Sequence, residues 1–269
     1  MGKLVDQTFR AVGRALGAIL PLFAASVPAH AQAVDDAARD HVLESASAAS
    51  LDTGTEVVPY LWAPTLVGNV GLGPAKVPVH ITPASVAGGV KAGVMGYARR
   101  DLGDRFAYGE VVAVDFGDPA FAPFFGQPVV AKAVFTELGA GLNRTIRLGR
   151  TTVLKVSPYA GFQHFYIETR VSGALAIGAA GSWSSPVIGV TAQLPLTSRF
   201  SLDAKLDAAG FGLGRVDYQN LAAALEYRIS KRMGLAMGYR TARGKYAGGT
   251  GLSLDLKGSG PLLAIRYRP

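Results

Sequence analysis

Two neighbouring stretches of the chain alternate so strictly that only one kind of secondary structure accommodates them. From Asn220 to Ser230 one parity reads Leu221, Ala223, Leu225, Tyr227, Ile229, and the other Asn220, Ala222, Ala224, Glu226, Arg228, Ser230. From Met233 to Arg240, Met233, Leu235, Met237 and Tyr239 alternate with Gly234, Ala236, Gly238 and Arg240. A period of two belongs to a strand and not to a helix, which repeats every ~3.6 residues. One face suits hydrocarbon and the other a polar interior. Such a sheet survives in lipid only by closing into a cylinder, because an open edge would leave backbone groups unpaired. The rhythm runs from Glu56 to the end, so the expected fold is all-β, a transmembrane antiparallel β-barrel over residues 55–269. The 34 glycines, 49% hydrophobic residues and 17% charged residues suit short strands and tight turns better than helices. The chain's 269 residues would also suffice to bury a soluble core. A soluble exported β-barrel that binds an apolar ligand therefore stands as an alternative.

The N-terminus indicates where such a barrel would be sent. Lys3, Arg10 and Arg14 precede an apolar stretch from Ala15 to Val27, and Ala29-His30-Ala31 follows it, the layout of a secretory signal peptide over 1–31. Its apolar run falls short of the ~20 residues a spanning helix needs. The absence of cysteine excludes a lipoprotein anchor, a disulfide framework and thiolate chemistry. Residues 32–54 carry most of an acidic cluster (Asp35, Asp36, Asp40, Glu44, Asp52, with Glu56 just beyond) and lack strand alternation, so they are expected to form a disordered periplasmic segment. The net charge of +8 is thus unevenly spread, with 23 basic and 12 acidic residues after position 56. The barrel itself is basic.

Ten strands follow from the pattern: 55–63, 88–99, 105–116, 129–148, 152–170, 183–195, 199–211, 217–229, 233–245 and 251–268. Short connections at 100–104, 149–151, 196–198 and 230–232 alternate with longer ones at 64–87, 117–128 and 171–182. Outer-membrane barrels have tight periplasmic turns, longer outward loops and an even strand number, which places both chain ends in the periplasm. A further hairpin in the first loop would make the count twelve, and a failed early strand would make it eight. Arg99, Arg100, Arg105, Arg150, Arg199, Lys231, Arg232, Arg266 and Arg268 fall at or beside the short turns. They are expected to form a periplasmic basic rim that meets outer-membrane lipids, at up to ~1 kcal/mol per residue near an anionic surface.

Pro59-Tyr60-Leu61-Trp62-Ala63-Pro64 with the Gly-rich Val67-Gly68-Asn69-Val70-Gly71, then Gly238-Tyr239-Arg240, and the ending from Gly260 to Arg268 resemble small proteobacterial outer-membrane β-barrel proteins of the porin-like kind. The resemblance runs from about residue 55 to the end. It implies a Gram-negative outer-membrane location and assembly by the barrel-assembly machinery, which reads an alternating apolar last strand. Leu263, Ile265 and Tyr267 match that signal, whereas the aromatic residue on which the family usually closes is replaced by Pro269.

Chemistry-bearing residues are sparse. Four histidines and no cysteine make no evident metal cluster, and nothing suggests a cofactor, a catalytic site or nucleic-acid binding. A phosphate-loop-like Gly210-Phe211-Gly212-Leu213-Gly214 has no helix after it. One enzyme reading, a lipid-modifying hydrolase, would need His164 near a serine on the lipid-facing wall. A hairpin register with Arg170 opposite Trp183 pairs His164 near Gly189 and leaves Ser185 roughly 13 Å away, at ~3.3 Å per residue. The remaining constellation is the set of inward charges: Glu137, Arg147, Lys155, Asp203, Lys205, Asp207, Glu226, Arg228 and Arg240. Their mixed signs are expected to form a network filling a plugged or very narrow lumen, with glycines and alanines making room for it. The expected function is that of an integral porin-like protein, structural or weakly permeative to small solutes.

Overall fold

The computed structural model describes residues 53–72, 75–116, 129–148, 152–171, 177–211, 216–248 and 252–269. The expected signal peptide, the acidic segment up to Asp52, Arg150 and the phenylalanines of the 117–128 loop lie outside the described residues. The strands are β1 (Thr55–Trp62), β2 (Thr65–Leu72), β3 (Ala75–Ile81), β4 (Val90–Asp101), β5 (Arg105–Phe116), β6 (Val129–Leu142), β7 (Arg144–Leu148), β8 (Thr152–Val171), β9 (Ile177–Pro195), β10 (Phe200–Ala209), β11 (Val216–Arg228), β12 (Met233–Ala247) and β13 (Leu252–Tyr267). A short helix α1 (Pro83–Gly89) precedes β4.

These strands build ten staves. β1 and β2 both pair with β13, the first through Val57 opposite Tyr267 and the second through Ser259 opposite Thr65, so together they form one long stave with a break at Ala63-Pro64. β6 and β7 likewise share β8 as partner in a single continuous register. The order β1-β4-β5-β6-β8-β9-β10-β11-β12-β13 closes through β13 onto β1, and every pairing is antiparallel. Among the described residues the ten staves close on one another, which answers the backbone-pairing problem set by lipid, and only the short β3 and β7 have a flank without a strand partner. The supposed loop at 64–87 is in fact the β2–β3 hairpin followed by α1. The hairpin continues the wall beside the Leu252–Ser259 half of β13 without adding a stave, so the count remains ten.

Burial is inverted relative to a soluble protein. Glu137 is 1% exposed, and Glu110, Asp207, Asn220, Glu226 and Arg240 are also buried, while Phe162 is 69% exposed together with Leu61, Leu138, Leu206, Met237 and Leu263. Large apolar side chains on the outside and charges within are stable only where the outside is hydrocarbon.

Sequence register failed at one hairpin. β8 and β9 run on to Val171 and from Ile177, so Arg170 faces Gly178 and His164 faces Ser184. Past Ile177, residues 178–182 are all Gly, Ala or Ser, which gives them no amphipathic signal, so the alternation pattern places the strand start too late.

Candidate functional site

The lumen is filled in tiers, which can be followed along each strand from the end that carries both Thr55 and Tyr267. Nearest that end, Arg266 reaches Glu226, Asp203 at 2.9 Å and Glu56 at 3.3 Å, and Arg268 reaches Glu226 and Glu56 at 3.3 Å each. On the β4–β8 side of the same tier, Arg99 donates to Asp101 Oδ1 at 2.9 Å and to Asn143 Oδ1 at 2.5 Å. The Asn143 amide donates to Asp101 at 2.8 Å and to the Gly103 carbonyl at 2.9 Å, which ties the 102–104 turn to β6. Lys155 adds a 3.6 Å contact to Asp101, and the Arg99 guanidinium lies 3.7 Å over the Phe106 ring.

The middle tier centres on Glu110. Lys205 Nζ lies 2.6 Å from Glu110, 3.1 Å from Glu137 and 3.4 Å from Asp207. Arg240 donates to Glu110 Oε1 at 2.8 Å, to Tyr60 Oη at 2.9 Å and to Asn220 Oδ1 at 2.8 Å. Tyr60 donates to Glu110 at 2.6 Å, while Tyr159 and Asn220 donate to Asp207 at 3.0 and 2.9 Å. Glu110 stands on β5, Lys205 on β10 and Arg240 on β12, so the two cations come from staves four positions away in opposite directions around the ring of ten. The ion pairs therefore cross the lumen's width.

Beyond this tier the inward residues turn apolar. Trp183 and Tyr246 stack with centroids 4.1 Å apart and Phe165 stacks on Trp183 at 4.5 Å. Val216, Leu252 and Leu254 pack around Tyr246. On the near side of the middle tier, a cavity of about 210 Å³ is bounded by groups of both charged tiers, among them Glu56, Arg99, Lys155, Lys205, Arg240 and Arg266.

Room for the long side chains comes from asymmetry around the ring. Inward positions on β11–β13 are small (Ala222, Ala224, Gly234, Ala236, Gly238, Ala264), whereas the facing staves carry Phe106, Tyr108 and Tyr159. Gly141 lies beneath the Phe106 ring, where an added Cβ would meet ring carbons at 2.6 Å. The same holds for Gly189 under Tyr159, at 2.4 Å.

Of the anticipated lumen residues, the structure groups Glu137, Lys205, Asp207 and Arg240 in the middle tier and Lys155, Asp203 and Glu226 nearer the chain ends. Two are corrected. Arg147 has the inward parity but stands on β7, all of whose residues are exposed, because β5 ends at Arg105 opposite Leu142 and offers no wall beyond it. Arg228 is exposed at the turn, 3.4 Å from the Ser198 carbonyl. The supposed basic rim is corrected as well. Arg99, Arg266 and Arg268 turn inward onto carboxylates, and Arg100 donates to Thr55 Oγ1 at 2.7 Å. Arg105, Arg199, Lys231 and Arg232 remain exposed. Leu263, Ile265 and Tyr267 all face outward on β13. Sequence reasoning did not assign Glu110, Tyr60, Asn220, Tyr159 or Asn143. Glu110 was hidden because Val111 and Ala113 flank it on one parity while Val112 and Val114 continue the other, so β5 showed no polar face.

A closed antiparallel ring of ten staves, apolar outside and ionic within, defines a transmembrane β-barrel of the outer-membrane type. No family model matches the chain, and no curated protein matches it in sequence. Among solved structures, the outer membrane protease OmpT from Escherichia coli superposes with a TM-score of 0.51 at 12% identity, covering 82% of this chain and 98% of that one. Ail, the attachment invasion locus protein of Yersinia pestis, matches with a TM-score of 0.35 at 12% identity over 81% of this chain and 100% of its own. An anion-selective porin from Comamonas acidovorans gives 0.31 at 14% identity over 66% of this chain and 49% of the porin. The first of these likenesses establishes the fold alone.

Proposed function

We propose that the protein is an integral barrel of the bacterial outer membrane, porin-like in its wall but closed at rest, with a structural or at most weakly permeative role. The observation that carries this reading is Glu110, which receives Lys205 and Arg240 from either side of the ring and so draws ion pairs across the lumen. Buried pairs of this kind hold only when both partners are present and further hydrogen bonds satisfy them. Here Tyr60, Asn220 and Tyr159 do so. The aromatic tier beyond is a second barrier. Planar-bilayer recording tests the proposal. The intact barrel is expected to give almost no steps, and a Trp183→Ala, Tyr246→Ala variant with Lys205→Ala should open a measurable cation conductance. Frequent large openings of the intact protein would refute closure.

A second reading rests on a different contact. His164 Nδ1 and Ser184 Oγ share a 2.9 Å hydrogen bond on the exposed outer wall, directly above the apolar Phe162 and Pro186. A serine paired to an imidazole at the edge of the hydrocarbon has the elements of a nucleophile and base for lipid ester hydrolysis. Fatty-acid release from phospholipid vesicles by the folded barrel, abolished by Ser184→Ala, is the expected result. Absence of release from the intact protein eliminates this reading.

A further inference from the structure

On β11–β13 and the β1–β2 stave the outward side chains lie in rows that change character with height. Cross-strand neighbours are Met233 and Tyr267, then Leu235 and Ile265, Met237 and Leu263, Tyr239 and Pro261, and next Thr241 and Ser259. Immediately above, Arg243 stands opposite Lys257. A barrel strand crosses the hydrocarbon in about 9–11 residues, the stretch from Met233 to Arg243. This pair is therefore level with the headgroups at the end of the barrel away from Thr55 and Tyr267.

The pair is electrostatically odd. Directly opposed side chains on neighbouring strands have Cβ atoms ~4.5–5.5 Å apart, and like charges there oppose each other. Arg243 and Lys257 are the only two cations set directly opposite in any register among the described residues. Asp255 is shared by Arg243 at 3.3 Å and Lys245 at 3.9 Å, both contacts solvent-exposed, and Asp217 faces Lys245 across the β11–β12 pair. Among the described residues no carboxylate lies within ion-pair distance of Lys257. Two other cations of the outer wall are matched by carboxylates, Lys132 by Asp115 at 3.4 Å and Arg170 by Glu168 at 2.6 Å. A groove on the β11 side of Arg243 is lined by Phe211, Asp217, Gln219, Arg243 and Lys245.

We propose that Arg243 and Lys257 together bind a phosphate group on the headgroup of an outer-leaflet lipid, whose acyl chains lie along the Met237, Leu263 and Tyr239 surface below. Guanidinium forks and ammonium groups are the usual protein ligands for phosphate, and a lipid phosphate between the two cations turns a repulsive pair into a charge-assisted one. The hydroxyls of Thr241 and Ser259 mark the boundary between the two halves of such a ligand. The inference rests on the membrane location proposed above but not on lumen closure, so bilayer recordings and lipid binding fail independently.

Native mass spectrometry of the folded full barrel, mixed with phosphorylated lipid A and with its dephosphorylated form, tests it. The intact protein is expected to retain the phosphorylated lipid at least tenfold better. Arg243→Gln with Lys257→Gln should erase that preference while heat-dependent electrophoretic mobility stays that of a folded barrel, and Lys132→Gln should preserve it. Equal retention of the two lipids by the intact protein overturns the proposal whatever the variants do. Full displacement by an equimolar amount of inorganic phosphate also overturns it, by showing a free-anion site.

Discussion

Replacing Lys205 with alanine is expected to lower the unfolding free energy of the barrel by about 3–5 kcal/mol, the range for removing one partner of a buried ion pair. Lys205 faces Glu110, Glu137 and Asp207 at 2.6–3.4 Å, and all three carboxylates are buried. Without its ammonium they are left with Arg240, which contacts Glu110 alone among them. The cost comes from the stranded carboxylates and not from the lost methylenes, so Glu137→Gln in the same background should recover part of the loss. Urea titration of heat-dependent mobility gives both values. As a contrast, Arg105 and Asp104 are 3.9 Å apart and 75% and 62% exposed, so Arg105→Ala should change stability by less than about 1 kcal/mol. A Lys205→Ala loss no larger than that would show the middle tier to be solvated and the lumen open.

Gly141→Val is expected to cost on the order of 3 kcal/mol or more, the upper part of the overpacking range. The side chain of the 2%-exposed Phe106 covers this position, and a Cβ would stand 2.6 Å from two of its ring carbons and 2.3 Å from the Pro158 carbonyl oxygen. The ring can retreat, but the backbone oxygen cannot without opening the β6–β8 ladder. Removing the ring with Phe106→Ala should therefore return only part of the loss caused by Gly141→Val. Complete recovery would mean that the side-chain clash alone excludes larger residues. Arg99 stacks on the same ring, so the double variant should also loosen the Asn143 cluster. Faster amide exchange at the 102–104 turn would report that loosening.

How far the sequence could be read depended on how strongly each residue's partners are local. β11 and β12 were legible because Leu, Met and Tyr alternate with Ala, Gly and charge, and the structure keeps that register throughout. β9 was misplaced by six residues at its start because Gly178, Ala179, Ala180 and Gly181 carry no contrast between faces. That error hid the His164–Ser184 contact. The parity of Arg266 and Arg268 was readable, but their direction was not. Proximity to a turn suggested a rim, whereas Glu226, Asp203 and Glu56 draw them inward from three other staves.

Alternation by itself determined that this chain forms a closed sheet with hydrocarbon outside and charge inside, because a strand's faces are set residue by residue and an edge in lipid is too costly to leave open. The turns determined the even number of staves. Only the tertiary structure decided which charges meet, since Lys205, Arg240 and Glu110 lie far apart along the chain and become neighbours through the curvature of the ring. Curvature also decides whether the lumen is a passage or a plug, because inward side chains reach one another only when the ring is narrow enough for opposite walls to touch.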